Sequence, residues 1–281
     1  MSCDVLVIGG GPAGLSAAVN IRARGKSALV VSNPLEENPL WKSERIDNYL
    51  GLPGLSGAEL LTAFRTHAER AGAEFHSGRA LNAAMTGDSW YVSVGSDVLE
   101  AKAVILAGGV ARGKKFPGEE EFLGRGVSYC ATCDGMLYRG RRVAVLGWTE
   151  SARGEAEFLR GIGCETLWFD RPRTCEISGS QTVERVTCDG RTEQADAVFI
   201  LRPALPPADL FPGLAMENGF VAVDRQMATS LPGLFAAGDC TGGPLQVSKA
   251  AGEGLIAGQS AARWIDRHPD QTEKTKDEIK K

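Results

Sequence analysis

Histidine is scarce in this chain, with three residues, His67, His76 and His268, among 281. Neither a paired set of histidines nor a second CxxC is present, so a four-ligand zinc site has little to draw on. Positive charge is not in excess either: 31 Lys and Arg against 35 Asp and Glu leave a net charge of −4, which excludes a basic surface on the scale that nucleic acid requires. No run approaches the roughly 18 apolar residues of a membrane span. The N-terminus enters a strand with no basic segment, apolar stretch or cleavage site before it, so the expected address is the cytoplasm. Seven cysteines are too few for a disulfide scaffold, and the number is odd. Reduced thiols are the expectation, and a CxxC pair reads as redox or metal chemistry. With 43% hydrophobic and 23% charged residues, the chain has the composition of a globular protein, and its length suggests two domains.

From Cys3 to Gly25, CDVLVIGGGPAGLSAAVNIRARG places Gly9, Gly11 and Gly14 in GxGxxG spacing between an apolar strand and a helix opened by Pro12 and Ala13. In such a turn the first glycine makes the bend. The second lets backbone approach a pyrophosphate, and the third lets helix and strand pack closely. Packing alone also produces glycine-rich turns. The acid expected to bind ribose at the end of the second strand is missing, and Ser32 and Asn33 stand there instead. Far along the chain, a strand from Phe235 to Asp239 ends in Gly238 and Asp239, followed by a loop and another small-residue helix. In flavoproteins with two dinucleotide domains, an aspartate so placed binds the ribityl chain and the following helix points its positive end at the ring. A helix cap is the plainer role for Asp239. With VILAGGV, containing Ala107 and Gly108, as a third glycine-ended strand, the expected cofactor is FAD.

SYCATCDG carries Cys130 and Cys133. A redox disulfide, zinc ligation and two buried unpaired thiols are the three readings, and the flavin beside them favours the first. The GGGPAGLSAA start, the middle segment AGGVARGKKFPGEEEFLGRGVSYCATCDG and the LFAAGD end resemble the low-molecular-weight thioredoxin reductases over nearly the whole chain. That resemblance implies an α/β fold: a Rossmann-like FAD domain of residues 1–112 and 215–281, with a reduced Rossmann-like domain, 113–214, inserted and carrying the CxxC. It implies that Cys133 faces the flavin, that Cys130 attacks the thioredoxin disulfide, and that Asp134 serves as acid or base, although a turn role before Gly135 is as natural. The implied FAD contacts are Gly9, Gly11, Pro12, Ala13, Gly14, Ser32, Asn33, Leu40, Trp41, Asn48, Ala107, Gly108, Gly238, Asp239, Gln246 and Val247, without a metal. A homodimer built mainly through the FAD domains is implied as well.

Members of that family bind NADPH on the inserted domain. Here VAVLGWTESARGEAEFL, Val143 to Leu159, keeps Gly147 and Ala152 but has Trp148 and Thr149 where the backbone should approach pyrophosphate. Phe169 and Asp170 stand where the next strand should end in histidine and arginine, and an aspartate repels a 2′-phosphate yet suits the ribose of NADH. Asp196 follows Arg173 with little chain for the usual excursion, and Arg202 replaces a strand-ending glycine. NPLEENPLWKSERIDNYLG and GPLQVSKAAGEG resemble the ferredoxin-dependent flavin thioredoxin reductases of anaerobic bacteria, which also lack NADPH motifs. This second resemblance implies ferredoxin as electron donor, and FAD accepts electrons singly or in pairs. From Val110 to Cys175 the chain carries 11 basic and 9 acidic residues, a slight bias toward an acidic partner that a solvated surface equally explains. NADH-linked reduction, a dithiol oxidase using oxygen and a flavin redox sensor remain open. Cys3, Cys164, Cys175, Cys188 and Cys240 lack CxxC partners and are expected to be plain core thiols. The charged tail from Asp266 reads as disorder or a solvated helix.

Overall fold

The computed structural model describes residues 2–110, 115–202 and 206–268. They form two compact units, one of 2–110 with 206–268 and the other of 115–202. The outgoing boundary near 112 and the tail beyond 268 lie outside the described residues. The chain is back in the first unit by Pro206, earlier than the expected 215, because Leu210, Phe211 and Leu214 bury in that unit's core with Leu6, Trp90 and Val92.

The first unit begins with β1 (Ser2–Ile8), whose run VLVI, Val5 to Ile8, is buried on both faces, the mark of a central parallel strand. There follow α1 (Pro12–Arg22), β2 (Ala28–Ser32) and α2 (Gly57–Arg70), the last started by a Ser56–Glu59 capping box. Strands β3 (Glu74–Ser77), β4 (Ala80–Thr86), β5 (Ser89–Val94) and β6 (Asp97–Leu106) complete this half.

The second unit opens with β7 (Val127–Ser128), the short helix α3 (Ala131–Asp134), β8 (Arg142–Gly147), α4 (Glu150–Gly161) and β9 (Glu165–Asp170). A meander of β10 (Cys175–Gly179), β11 (Val183–Cys188) and β12 (Arg191–Gln194) leads to β13 (Ala197–Leu201). Its parallel sheet runs β7-β13-β8-β9. The stretch between Arg173 and Asp196, expected to be too short for an excursion, therefore holds a complete three-stranded one. A tight hairpin makes this possible, since Asp189 and Gly190 both adopt positive φ, the geometry of a two-residue turn that matches strand twist.

Back in the first unit come α5 (Pro207–Leu210), β14 (Met216–Glu217), β15 (Phe220–Val221), β16 (Leu234–Ala236) and the long α6 (Val247–Arg267). The main sheet is ordered β3-β2-β1-β6-β5-β4. Strand β6 pairs with β5 through Ala101 and with β16 from Val104 onward, so a strand from the far end of the chain fills the second half of that edge. Helix α6 crosses α1 at close range because Gly254 and Gly258 carry no side chain where a Cβ would strike the carbonyl oxygens of Ala13 and Ala17. Parallel pairing of β1 and β16 with β6 brings the carboxyl ends of the three strands together.

One expectation about the cysteines fails. Cys175 and Cys188 face each other across the β10–β11 ladder with Cα atoms 4.1 Å apart and form a disulfide. Thirteen residues separate them, and only the hairpin register reveals the pairing. Both are buried among Phe122, Val127 and Val186. Among the described residues Cys3, Cys164 and Cys240 are the free thiols, and burial pushes the Cys240 thiol up to about 12. Alkylation of the unfolded, unreduced protein should therefore add three labels by intact mass, and prior reduction should raise this to all seven. Label mapped by peptide digestion to Cys175 or Cys188 without reduction would break the Cys175–Cys188 assignment.

Candidate active site

At the end of β1, Gly9 has φ +118° and lies so close to Ala107 that a Cβ would strike the Ala107 carbonyl. A Cβ on Gly14 would strike the Gly9 carbonyl. These contacts lock the turn onto the ends of β1 and β6. Gly11 is the N-cap of α1 and offers no side-chain acceptor, Pro12 opens the helix without an N–H, and no acidic residue sits in the first turn. The amides there point at a place suited to an anion, with the helix dipole behind them. Ala107 N donates to Ile8 O at 2.8 Å and Ala237 N to Leu106 O at 2.9 Å, which brings Gly108 and the Gly238–Asp239 turn to the same edge.

Ser32 ends β2 against Gly10, with Asn33 next. Leu40 and Trp41 lie in a single 3-10 turn, Pro39–Lys42, capped by the Asn38 side chain at 3.0 Å from Leu40 N. Asn38 also stands 3.2 Å from where a Cβ on Gly11 would be, a neighbour of the α1 turn that sequence reasoning missed. Asn48 Nδ2 donates to Gln246 Oε1 at 2.8 Å, joining two expected contact residues 198 positions apart at the start of α6, beside Val247. The glycine-lined, uncapped α1 start, with the Asn48–Gln246 pair at the start of α6, suits a flavin dinucleotide.

In the second unit Cys130 and Cys133 form a disulfide with Cα atoms 5.4 Å apart. Cys130 is the N-cap of α3: its Sγ accepts from Cys133 N at 3.1 Å, which favours a thiolate there after reduction. Cys130 is buried and Cys133 exposed. Asp134 does more than turn the chain. Its Oδ2 accepts from the Ser128 hydroxyl at 2.6 Å, and Ser128 Oγ in turn accepts from Cys130 N at 3.1 Å. Glu155 accepts from Ala131 N at 3.1 Å and so fixes the first turn of α3. Neither Ser128 nor Glu155 was singled out by sequence reasoning, although Ser128 stands two residues before the CxxC. Among the described residues no cluster of His, Cys, Asp and Glu could hold a metal, and no helix is long and apolar enough to cross a membrane.

The second strand-to-helix turn, β8 into α4, is built the opposite way to the first. Thr149 is the N-cap, and its hydroxyl accepts from Ala152 N at 3.2 Å. The Ala152 amide is thus engaged within the chain, and Glu150 adds a carboxylate to the first turn. Trp148 stacks on Phe116 with centroids 6.1 Å apart, and the Arg202 guanidinium lies 5.5 Å from the Trp148 ring and 5.0 Å from Phe116. Arg202 forms a two-pronged pair with Glu119, Nη1 to Oε1 at 2.5 Å and Nη2 to Oε2 at 2.8 Å, while Tyr129 and Phe116 N also donate to Glu119. Both charges are buried. Glu119, 83 residues from Arg202, was invisible in the sequence. Asp170, at the end of β9, pairs with Arg153 at 3.4 Å on the surface.

An open dinucleotide turn in one unit and a CxxC disulfide in the other define a disulfide oxidoreductase of the flavin type. A family model, Pyridine nucleotide-disulphide oxidoreductase, matches residues 3–178 and 171–254, and the chain belongs to that family. Among its relatives, the thioredoxin reductase of Aquifex aeolicus is 33% identical over 84% of each chain, and that of Bacillus subtilis is 31% identical over 94% of this chain and 95% of its own. Among solved structures, a ferredoxin-flavin thioredoxin reductase from Clostridium acetobutylicum is similar at 36% identity with a TM-score of 0.89, covering 95% of this chain and 98% of that one.

Burial by itself raises the Glu119 carboxyl, but the Arg202 guanidinium and the Phe116 and Tyr129 donors outweigh it and hold the group below its ordinary range. A depressed folded value gives stability that is present above the unfolded carboxyl value, about 4.5, and lost as pH falls through the folded one. Arg202→Met should accordingly cost the second unit about 3–5 kcal/mol at neutral pH by leaving a buried carboxylate unpaired. Urea unfolding followed by tryptophan fluorescence measures this, with the loss shrinking as the pH is taken toward 4 and Glu119 becomes able to protonate.

Proposed function

We propose that the protein is a flavin-dependent thioredoxin-disulfide reductase that holds FAD and draws its electrons from reduced ferredoxin instead of NADPH. The observation that carries the choice of donor is the closed α4 start, where Thr149 engages the amide of Ala152 and the Trp148–Phe116–Arg202 stack packs beside it. Charge-assisted hydrogen bonds contribute roughly 1.5 to 3 kcal/mol each, so losing two of them weakens a nicotinamide site by on the order of a thousandfold. The similarity to the Clostridium acetobutylicum ferredoxin-flavin enzyme over nearly the full length of both chains supports the same reading.

FAD held at the Gly9–Gly14 turn would supply two electrons to the disulfide. The Cys130–Cys133 bond breaks, two protons are taken up, and a dithiol results. The Cys130 thiolate, favoured by the Cys133 N–H, attacks one sulfur of oxidised thioredoxin and expels the other as a thiolate that takes a proton. Cys133 then attacks Cys130 in the mixed disulfide, which releases dithiol thioredoxin and restores the Cys130–Cys133 bond. Asp134, steadied by Ser128, gives and takes the proton of these thiols. This role requires Cys130, buried in the disulfide form, to become accessible after reduction. A homodimer through the FAD-binding units completes the proposal.

Two experiments test the reading. Under anaerobic conditions, reduced ferredoxin should bleach the flavin and, with oxidised thioredoxin present, deliver two thiols per thioredoxin; a flavin that ferredoxin leaves oxidised while NADH bleaches it would replace the donor assignment with the nicotinamide one. In the Cys133→Ser variant a stable mixed disulfide with thioredoxin should accumulate through Cys130, whereas Cys130→Ser should trap none. The reverse pattern exchanges the roles of the two sulfurs.

A further inference from the structure

Lys249 and Glu253 lie four residues apart on α6 and form an ion pair at 3.0 Å, with 16% and 18% of their side chains exposed. Helix energetics do not account for the lysine. It stands in the first turn, where a cation opposes the dipole, and lysine before glutamate is the poorer order for such a pair. Its partners give another reason. Lys249 Nζ donates to Gly238 O at 2.7 Å, Gly242 O at 2.7 Å and Thr241 Oγ1 at 2.9 Å, a full complement for an ammonium. Glu253 Oε2 accepts from Gly238 N at 2.8 Å and lies 2.8 Å from Thr241 Oγ1.

Both backbone groups of Gly238 are therefore held by charged side chains from one helix. Gly238 has φ +86°, and a Cβ on it would meet Ala13 Cβ in the first turn of α1. A shift of this one residue would disturb Asp239 on one side and the phosphate turn on the other. We propose that Lys249 and Glu253 are a positioning pair that fixes the Gly238–Asp239 turn for binding the flavin. The proposal rests on the flavin reading of the cradle and adds the residues that hold its shape.

The test uses the full-length protein loaded with FAD. Lys249→Met should raise the FAD dissociation constant roughly tenfold or more, read from release of flavin fluorescence, and should alter the visible circular dichroism of the bound flavin. Glu253→Gln should do the same, and it carries the test if Lys249→Met does not fold. Gly258→Ala, a packing lesion against Ala17 on the same helix, should lower the thermal midpoint and leave the flavin band as in the parent. Parental affinity and an unchanged band in both charge variants would overturn the pairing role, as would an equal change of the band in Gly258→Ala. A parent protein that holds no FAD would instead overturn the flavin reading, and the proposal with it.

Discussion

The first amides of a helix can be satisfied by a side chain of the same chain or by a bound anion, and one donor does not serve both fully. Much of this structure follows from how two helix starts resolve that competition. At α1 the N-cap is Gly11, and there is no capping side chain. At α4 it is Thr149, and its hydroxyl engages Ala152 N. The two turns share a strand-to-helix plan and a leading glycine, yet the first has no side-chain cap and the second has one from Thr149.

The rest of the second unit packs against this half-buried turn. Trp148 joins Phe116, Phe122 and Leu146 in an apolar cluster, and Gly147 now serves packing, since a Cβ there would strike the Trp168 ring. A buried guanidinium would be costly alone. Here Glu119 neutralises it, two aromatic rings flank it, and Tyr129 and Phe116 N take up further acceptor capacity of the carboxylate. The disulfide between Cys175 and Cys188 closes the meander that feeds β13. In the first unit the same economy runs the other way, and glycine at positions 9, 14, 254 and 258 keeps backbone close to backbone.

The parts of the site legible in the sequence were those written in short spacings. GxGxxG, CxxC, the Gly-Asp strand end and the Trp148–Thr149 intrusion each lie within a few residues, and each constrains the chain locally. What was not legible depends on register or on distant partners. Cys175 meets Cys188 through hairpin register, Arg202 meets Glu119 across 83 residues, and Asn48 meets Gln246 across 198. The meander between Arg173 and Asp196 was underestimated because the economy of its turn at Asp189 and Gly190 was not recognised. The return to the first unit ahead of 215 was hidden for a similar reason: Leu210 and Phe211 are apolar in either unit, and only their packing assigns them.

The central claim is that the second dinucleotide turn has been closed by the chain's own side chains while the first stays open. Isothermal titration of the FAD-loaded protein with NADPH and with NADH tests it most directly, because it reads binding without relying on electron transfer. The account predicts no binding tighter than on the order of millimolar for either nucleotide, the level expected when about 4 kcal/mol or more of phosphate contacts are lost from a micromolar site. A micromolar dissociation constant for either nicotinamide would contradict it.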